Sequence, residues 1–99
     1  MKCTILALEG CPLSSVSGPL EILSLANSFN KEERISLSIV GEELEVECAS
    51  GLVIRNSHTV NQVKDTDVVI IGAIGRPDGA IVVKPSTISW LRQQYDHGS

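Results

Sequence analysis

Ninety-nine residues with 42% hydrophobic content and a formal net charge of −4 make one domain at most, near the lower limit for a well-buried core. That content excludes a disordered chain, which lacks the apolar surface to offset ordering entropy. The eight basic residues are scattered and the isoelectric point is about 5.0, which excludes a phosphate-tracking groove within this chain.

The opening run "CTILAL" (Cys3 to Leu8) is continuously apolar, the mark of a parallel strand covered on both faces. It is only six residues long, too short to span a membrane, and no cleavage-like segment follows it. After the loop "EGCPLSS" the period changes. Ser17, Glu21, Ser24 and Ser28 form a single polar stripe, and Leu20, Ile22, Leu23, Leu25, Ala26 and Phe29 make a broad apolar face. This predicts a helix from Ser17, with Gly18-Pro19 in its first turn and Asn30 at its end.

"RISLSIVG" alternates Ile35, Leu37 and Ile39 with serines, as a strand near a sheet edge would. "ELEVECA" and "LVIRN" read as a hairpin with Gly51 in the turn, and the acidic run "GEELEVE" as its solvated face. Val60 to Lys64 suggests one helical turn. "DVVIIGA" is a second fully buried strand, followed by the loop "IGRPDG". Finally "KPSTISWLRQQY" predicts a helix opening at Pro85 that sets Ile88, Leu91 and Tyr95 on one face. The order implies an α/β fold: a partial flavodoxin-like open sheet, mostly parallel, with a β-hairpin insertion.

In such sheets ligands sit beyond the carboxyl ends of the strands, where strand order reverses. If the first strand lies between the second and "DVVIIGA", that point faces "EGCPLSS" and "GAIG". The candidate ligand-contacting residues are therefore Glu9, Ser14, Ser15, Gly72 and Ala73. Backbone N–H groups around Gly72 and Ala73, and at the start of the first helix, would meet an anion or a carbonyl oxygen.

Catalytic signatures are lacking. His58 and His97 sit in polar contexts away from any nucleophile, and there is no G-x-S-x-G elbow, Walker loop or G-x-G-x-x-G after a strand. Cys3, Cys11 and Cys48 fall in no metal or C-x-x-C spacing. They read as reduced thiols of a cytoplasmic protein, Cys3 and Cys48 as small core residues. Cys11 precedes a helix, where a thiol can be activated, but no cationic neighbour supports that role. No metal or cofactor is implied.

Taken together, "ILALEGC…SSVSGPLEILSLAN", "ISLSIVG", "SGLVIRNS", "DVVIIGA" and "ISWLRQQY" resemble the ThiJ/PfpI superfamily, whose fold is that of class I glutamine amidotransferases. Within it the chain looks most like the sensor domain of AraC-type transcription regulators, with their "G-P-x-E-x" and "W-L-R" helices. The resemblance implies that residues 1–99 are the amino-terminal part of one such domain, binding a small-molecule effector or mediating dimerisation. DNA would be bound by helix-turn-helix units absent from this chain.

Two departures bear on activity. Members usually carry an acid at the position of Ser15, which in the enzymes tunes the nucleophilic thiol; serine supplies no charge. The nucleophile elbow comes after the "W-L-R" helix, and this chain stops at Ser99; the usual Gly-Gly corner is Gly72-Ala73. The resemblance thus implies a non-catalytic chain. The alternative is a stand-alone hydratase, amidase or glyoxalase-like enzyme cut before its cysteine; the plainest reading is a small α/β domain without a ligand. Without the elbow strand, "DVVIIGA" would present an unpaired edge, so the chain is expected to pair with another chain, as in a homo-oligomer, to rearrange over the edge, or to aggregate.

Overall fold

The computed structural model describes residues 1–29, 32, 34–72 and 83–96. The strands β1 (Lys2–Ala7), β2 (Ser36–Gly41), β5 (His58–Thr59) and β6 (Val68–Ile71) form a four-stranded sheet in the order β5-β2-β1-β6. All three pairings are parallel. The strands β3 (Glu45–Glu47) and β4 (Val53–Arg55) form a separate antiparallel hairpin. The expected open α/β sheet with a hairpin insertion is therefore present, with β1 between β2 and β6 as the sequence implied. The short edge strand β5, followed by a 3₁₀ turn at Val60–Gln62, carries no sequence signal of its own.

Strand alternation divides β1 between two cores. Ile5 and Ala7 join Cys11, Val16 and Cys48 on one face, with Leu20 and Ile39 packed against them. Leu6 and Leu8 join Val40, Val60 and Trp90 on the other, with Val69 and Leu91 alongside. Helix α1 (Ser14–Phe29) thus contributes to the first core and α2 (Pro85–Asp96) to the second. A strand covered on both sides is apolar at nearly every position, which is why "CTILAL" shows no alternation; its one polar residue, Thr4, is buried with its hydroxyl on that of Thr66.

Four expectations need correction. Helix α1 starts at Ser14, not Ser17. The Pro12 and Leu13 carbonyls accept from the N–H groups of Ser15, Val16 and Ser17 at 2.9–3.1 Å, so the turn is nucleated upstream of the apolar periodicity. Pro19 consequently lies in the second turn, where it has no N–H to return to the Ser15 carbonyl.

In α2 the inward residues are Thr87, Trp90 and Gln94, while Ile88 and Tyr95 are 53% and 78% exposed. The helix is oriented by hydrogen bonds rather than by its most apolar stripe. Trp90 Nε1 donates to the Val63 carbonyl at 2.7 Å. Gln94 Nε2 donates to the Lys64 carbonyl at 3.0 Å, and its Oε1 accepts from the Thr66 N–H at 3.2 Å.

Strand β6 is not fully buried: Val68 and Ile71 are exposed at its ends. Among the described residues it pairs with β1 alone.

The acidic run is more than a solvated face. Glu42 Oε2 accepts from the Lys84 N–H and the Thr87 hydroxyl, both at 2.7 Å, placing a carboxylate at the start of α2, where it opposes the helix dipole. Glu43 pairs with Lys84 at 2.7 Å. At the other end of β2, the Asn27 amide closes on the Ile35 peptide, donating to its carbonyl (2.8 Å) and accepting from its N–H (2.7 Å). No helix among the described residues is long and apolar enough to cross a membrane.

Candidate functional site at the carboxyl ends of the central strands

Beyond β1 the chain turns at Gly10, whose φ of 79° is a left-handed conformation that favours glycine. Cys11 then folds back inward, its N–H donating to the Leu8 carbonyl at 3.1 Å, and the chain enters α1. Across the strand ends, Gly72 follows β6. A Cβ built on Gly72 would lie 3.2 Å from both Leu6 O and Val16 Cγ2 and 3.3 Å from Ser15 Oγ. Ser15 and Gly72 are therefore brought together, and a close approach of strand end to helix start explains the glycine.

The other candidates are placed differently. Glu9 is exposed and its carboxylate turns to the hairpin, Oε2 accepting from the Glu47 N–H at 3.4 Å. Ser14 is exposed on the first turn of α1. Ala73, His97, Asn30 and the "IGRPDG" loop lie outside the described residues. The fold itself uses several donors that would otherwise meet a ligand. The Gly72 N–H goes to Leu6 O at 3.0 Å, and those of Ser15, Val16 and Ser17 go to Pro12 and Leu13. Ser15 Oγ also donates to the Pro12 carbonyl, at 2.7 Å.

The thiols are all free and buried. Burial pushes the Cys3 thiol up from its ordinary value. Burial, then the neighbouring Cys48, pushes Cys11 up as well, so this loop thiol stays protonated rather than poised as a nucleophile. No group of three or more metal-ligating side chains exists among the described residues.

Sequence reasoning missed a cleft of about 460 Å³ toward the amino-terminal ends of β1 and β2, lined by Lys2, Thr4, Ser36, Ser38, His58 and Lys64. The signal available was the serine face of β2, whose alternation leaves hydroxyls where an apolar strand would bring core residues. This cleft lies away from the strand-order reversal.

Comparison with family models and with curated protein sequences returns no match. Solved structures do match. A protein assigned as a transcriptional regulator from Vibrio parahaemolyticus is 24% identical with a TM-score of 0.83, covering 100% of this chain and 53% of its own. An AraC family transcriptional regulator from Pseudomonas putida is 16% identical with a TM-score of 0.79, covering 98% and 59%. A DJ-1 superfamily protein from Salmonella typhimurium is 18% identical with a TM-score of 0.71, covering 99% and 51%. The chain spans little more than half the length of these structures, and over that span it has the fold shared by the AraC family regulator and DJ-1 superfamily structures.

Proposed function

We propose that this chain is part of a non-catalytic, ligand-sensing and dimerising domain of an AraC-type transcription regulator, a cytoplasmic protein whose DNA contacts lie outside residues 1–99. The observation that carries the reading is at the mouth of α1. There the Ser15 hydroxyl is bonded to the Pro12 carbonyl, at a position where the related enzymes use an acid. The loop thiol behind it is buried and held protonated, and Glu9 faces the hairpin. The likeness to two regulator structures over essentially the whole chain supports the same reading. Ser14 and the Ser15 hydroxyl, as acceptor, are the proposed contacts for a small effector, and a homo-oligomer is the proposed state of the whole protein.

The second reading, a DJ-1-type enzyme, is favoured by the superfamily matches. The test uses the full-length gene product. A helix-turn-helix region after Ser99, together with a salt-sensitive mobility shift on DNA from its own upstream region, supports the regulator. A coding sequence that ends soon after a nucleophile elbow, with turnover lost on mutating that elbow's cysteine, overturns it.

A further inference from the structure

Cys11 and Cys48 are 37 positions apart in sequence (48 − 11), yet they are side by side in the fold. Two backbone hydrogen bonds bracket them: Gly10 N–H to Glu47 O at 2.8 Å, and Ala49 N–H to Cys11 O at 2.9 Å. These bonds pin the turn after β1 against the end of β3, so that the two cysteines beside them are held in adjoining segments, the arrangement a disulfide needs. Both side chains turn into the same buried cluster, with Ile5, Ala7 and Val16. The two thiols are within hydrogen-bonding reach of one another. Cys3 is not a member of that cluster. Nor does a third ligand stand by to make the pair a metal site among the described residues.

We propose that Cys11 and Cys48 form a reversible intramolecular disulfide, with a peroxide as oxidant, which locks the β3–β4 hairpin onto the loop between β1 and α1. In the first step a thiolate sulfur attacks one peroxide oxygen and the O–O bond breaks. This gives a sulfenic acid, and the departing hydroxide takes up a proton to leave as water. In the second, the other sulfur attacks the sulfenic sulfur, the S–S bond forms, and the hydroxyl departs as a second water. Two thiols lose two electrons and two protons, and one peroxide becomes two waters.

Access is gated by the hairpin. Its strands are three residues each, a length that is marginal without support from the rest of the fold. Transient opening exposes Cys48 to solvent and releases the bonds to Gly10 and Cys11. While the hairpin is closed, burial keeps Cys11 protonated and slow to react, so oxidation reports on opening. The inference goes beyond the sensing role proposed above and does not depend on it: thiol pairing is read chemically, whatever the chain regulates.

The test treats the protein with hydrogen peroxide and reads intact mass without reductant, followed by peptide mapping. The expected result is loss of two hydrogens, a Cys11–Cys48 linked peptide, and full reversal by dithiothreitol. The linkage persists in Cys3→Ser and vanishes in Cys48→Ser. Amide exchange in Glu45–Arg55 is expected to slow about tenfold or more on oxidation. This measurement is made on the unmodified sequence, so it stands even if a variant misfolds. A linkage involving Cys3, over-oxidised Cys11 without linkage, or a linkage forming only after global unfolding would overturn the proposal.

Discussion

Replacing Gln94 with alanine removes a clamp that holds α2 against the segment before β6. The side chain is 1% exposed, donating to Lys64 O and accepting from the Thr66 N–H. Truncation leaves the Thr66 N–H buried without that acceptor, at a cost of about 1–3 kcal/mol, and loses the bond to Lys64 O, roughly 0.5–1.5 kcal/mol. One methylene of burial adds about 0.8 kcal/mol. The sum is about 4 kcal/mol, a large part of the roughly 5–15 kcal/mol available to a domain of this size. In urea, with a slope near 2 kcal/mol/M, the midpoint should fall by about 2 M with the slope unchanged. Gln93→Ala, on the exposed side of the same helix, should stay within about 0.5 kcal/mol of wild type.

Gln94→Glu sharpens the test. A buried carboxyl facing the Lys64 carbonyl has its folded pKa raised above the unfolded value of about 4.3. Its protonated form can still donate, so the variant should match wild type below about pH 4 and lose stability as pH rises through the raised folded value. Equal effects of Gln94→Ala and Gln93→Ala, or a Gln94→Glu deficit independent of pH, would refute the clamp.

Gly72→Ala places a methyl at 3.2–3.3 Å from Leu6 O, Val16 Cγ2 and Ser15 Oγ; calorimetry should show a loss of about 1–2 kcal/mol from overpacking. The Glu43–Lys84 pair is exposed, with Glu43 lowered by the Lys84 ammonium and Lys84 raised by the Glu43 carboxylate. Its contribution is present above the ordinary carboxylate range and is lost as pH falls through the lowered Glu43 value; it is likewise lost as pH rises through the raised Lys84 value. Unfolding of Glu43→Gln across that window should show a small deficit at low salt that disappears in about 1 M salt. The chain by itself should not shift random duplex DNA at physiological salt in a mobility assay, since its net charge is −4 and its basic residues are dispersed. The purified chain should also show no thiol-dependent hydratase, amidase or glyoxalase turnover that is lost on Cys11→Ala.

Strand pairing was legible because its cause is local: unbroken apolar runs mark β1, and serine alternation places β2 near an edge. The same logic fails where polar contacts choose the packing. Thr87 and Gln94 look like surface residues in isolation and are buried because the backbone of Lys64 and Thr66 and the Glu42 carboxylate receive them. Serines hide the start of α1, being poor helix formers with no hydrophobic period to read. At the site, the approach of Ser15 to Gly72 followed from the strand-order argument. That the Gly72 N–H is committed to Leu6 O is a distance-level fact, invisible in residue types.

The parallel pairing of β6 with β1 has a consequence for how the chain reaches its fold. Lys2 and Asp67, joined by a backbone-to-carboxylate hydrogen bond, are separated by 65 positions in sequence, and Thr4 and Thr66 by 62. Strand β1 thus receives its second neighbour only after some 65 further residues have been made. Synthesis at about 5–20 residues per second leaves that side of β1 unpaired for several seconds. Pairings of such long reach also form slowly once available, because loop closure precedes any gain from contact. Pulsed hydrogen exchange during refolding should therefore find the β1–β2 register protected before β6 joins it. Until then the unprotected flank of Ile5 and Leu6 is where the nascent chain is most open to capture by a chaperone or by another copy of itself.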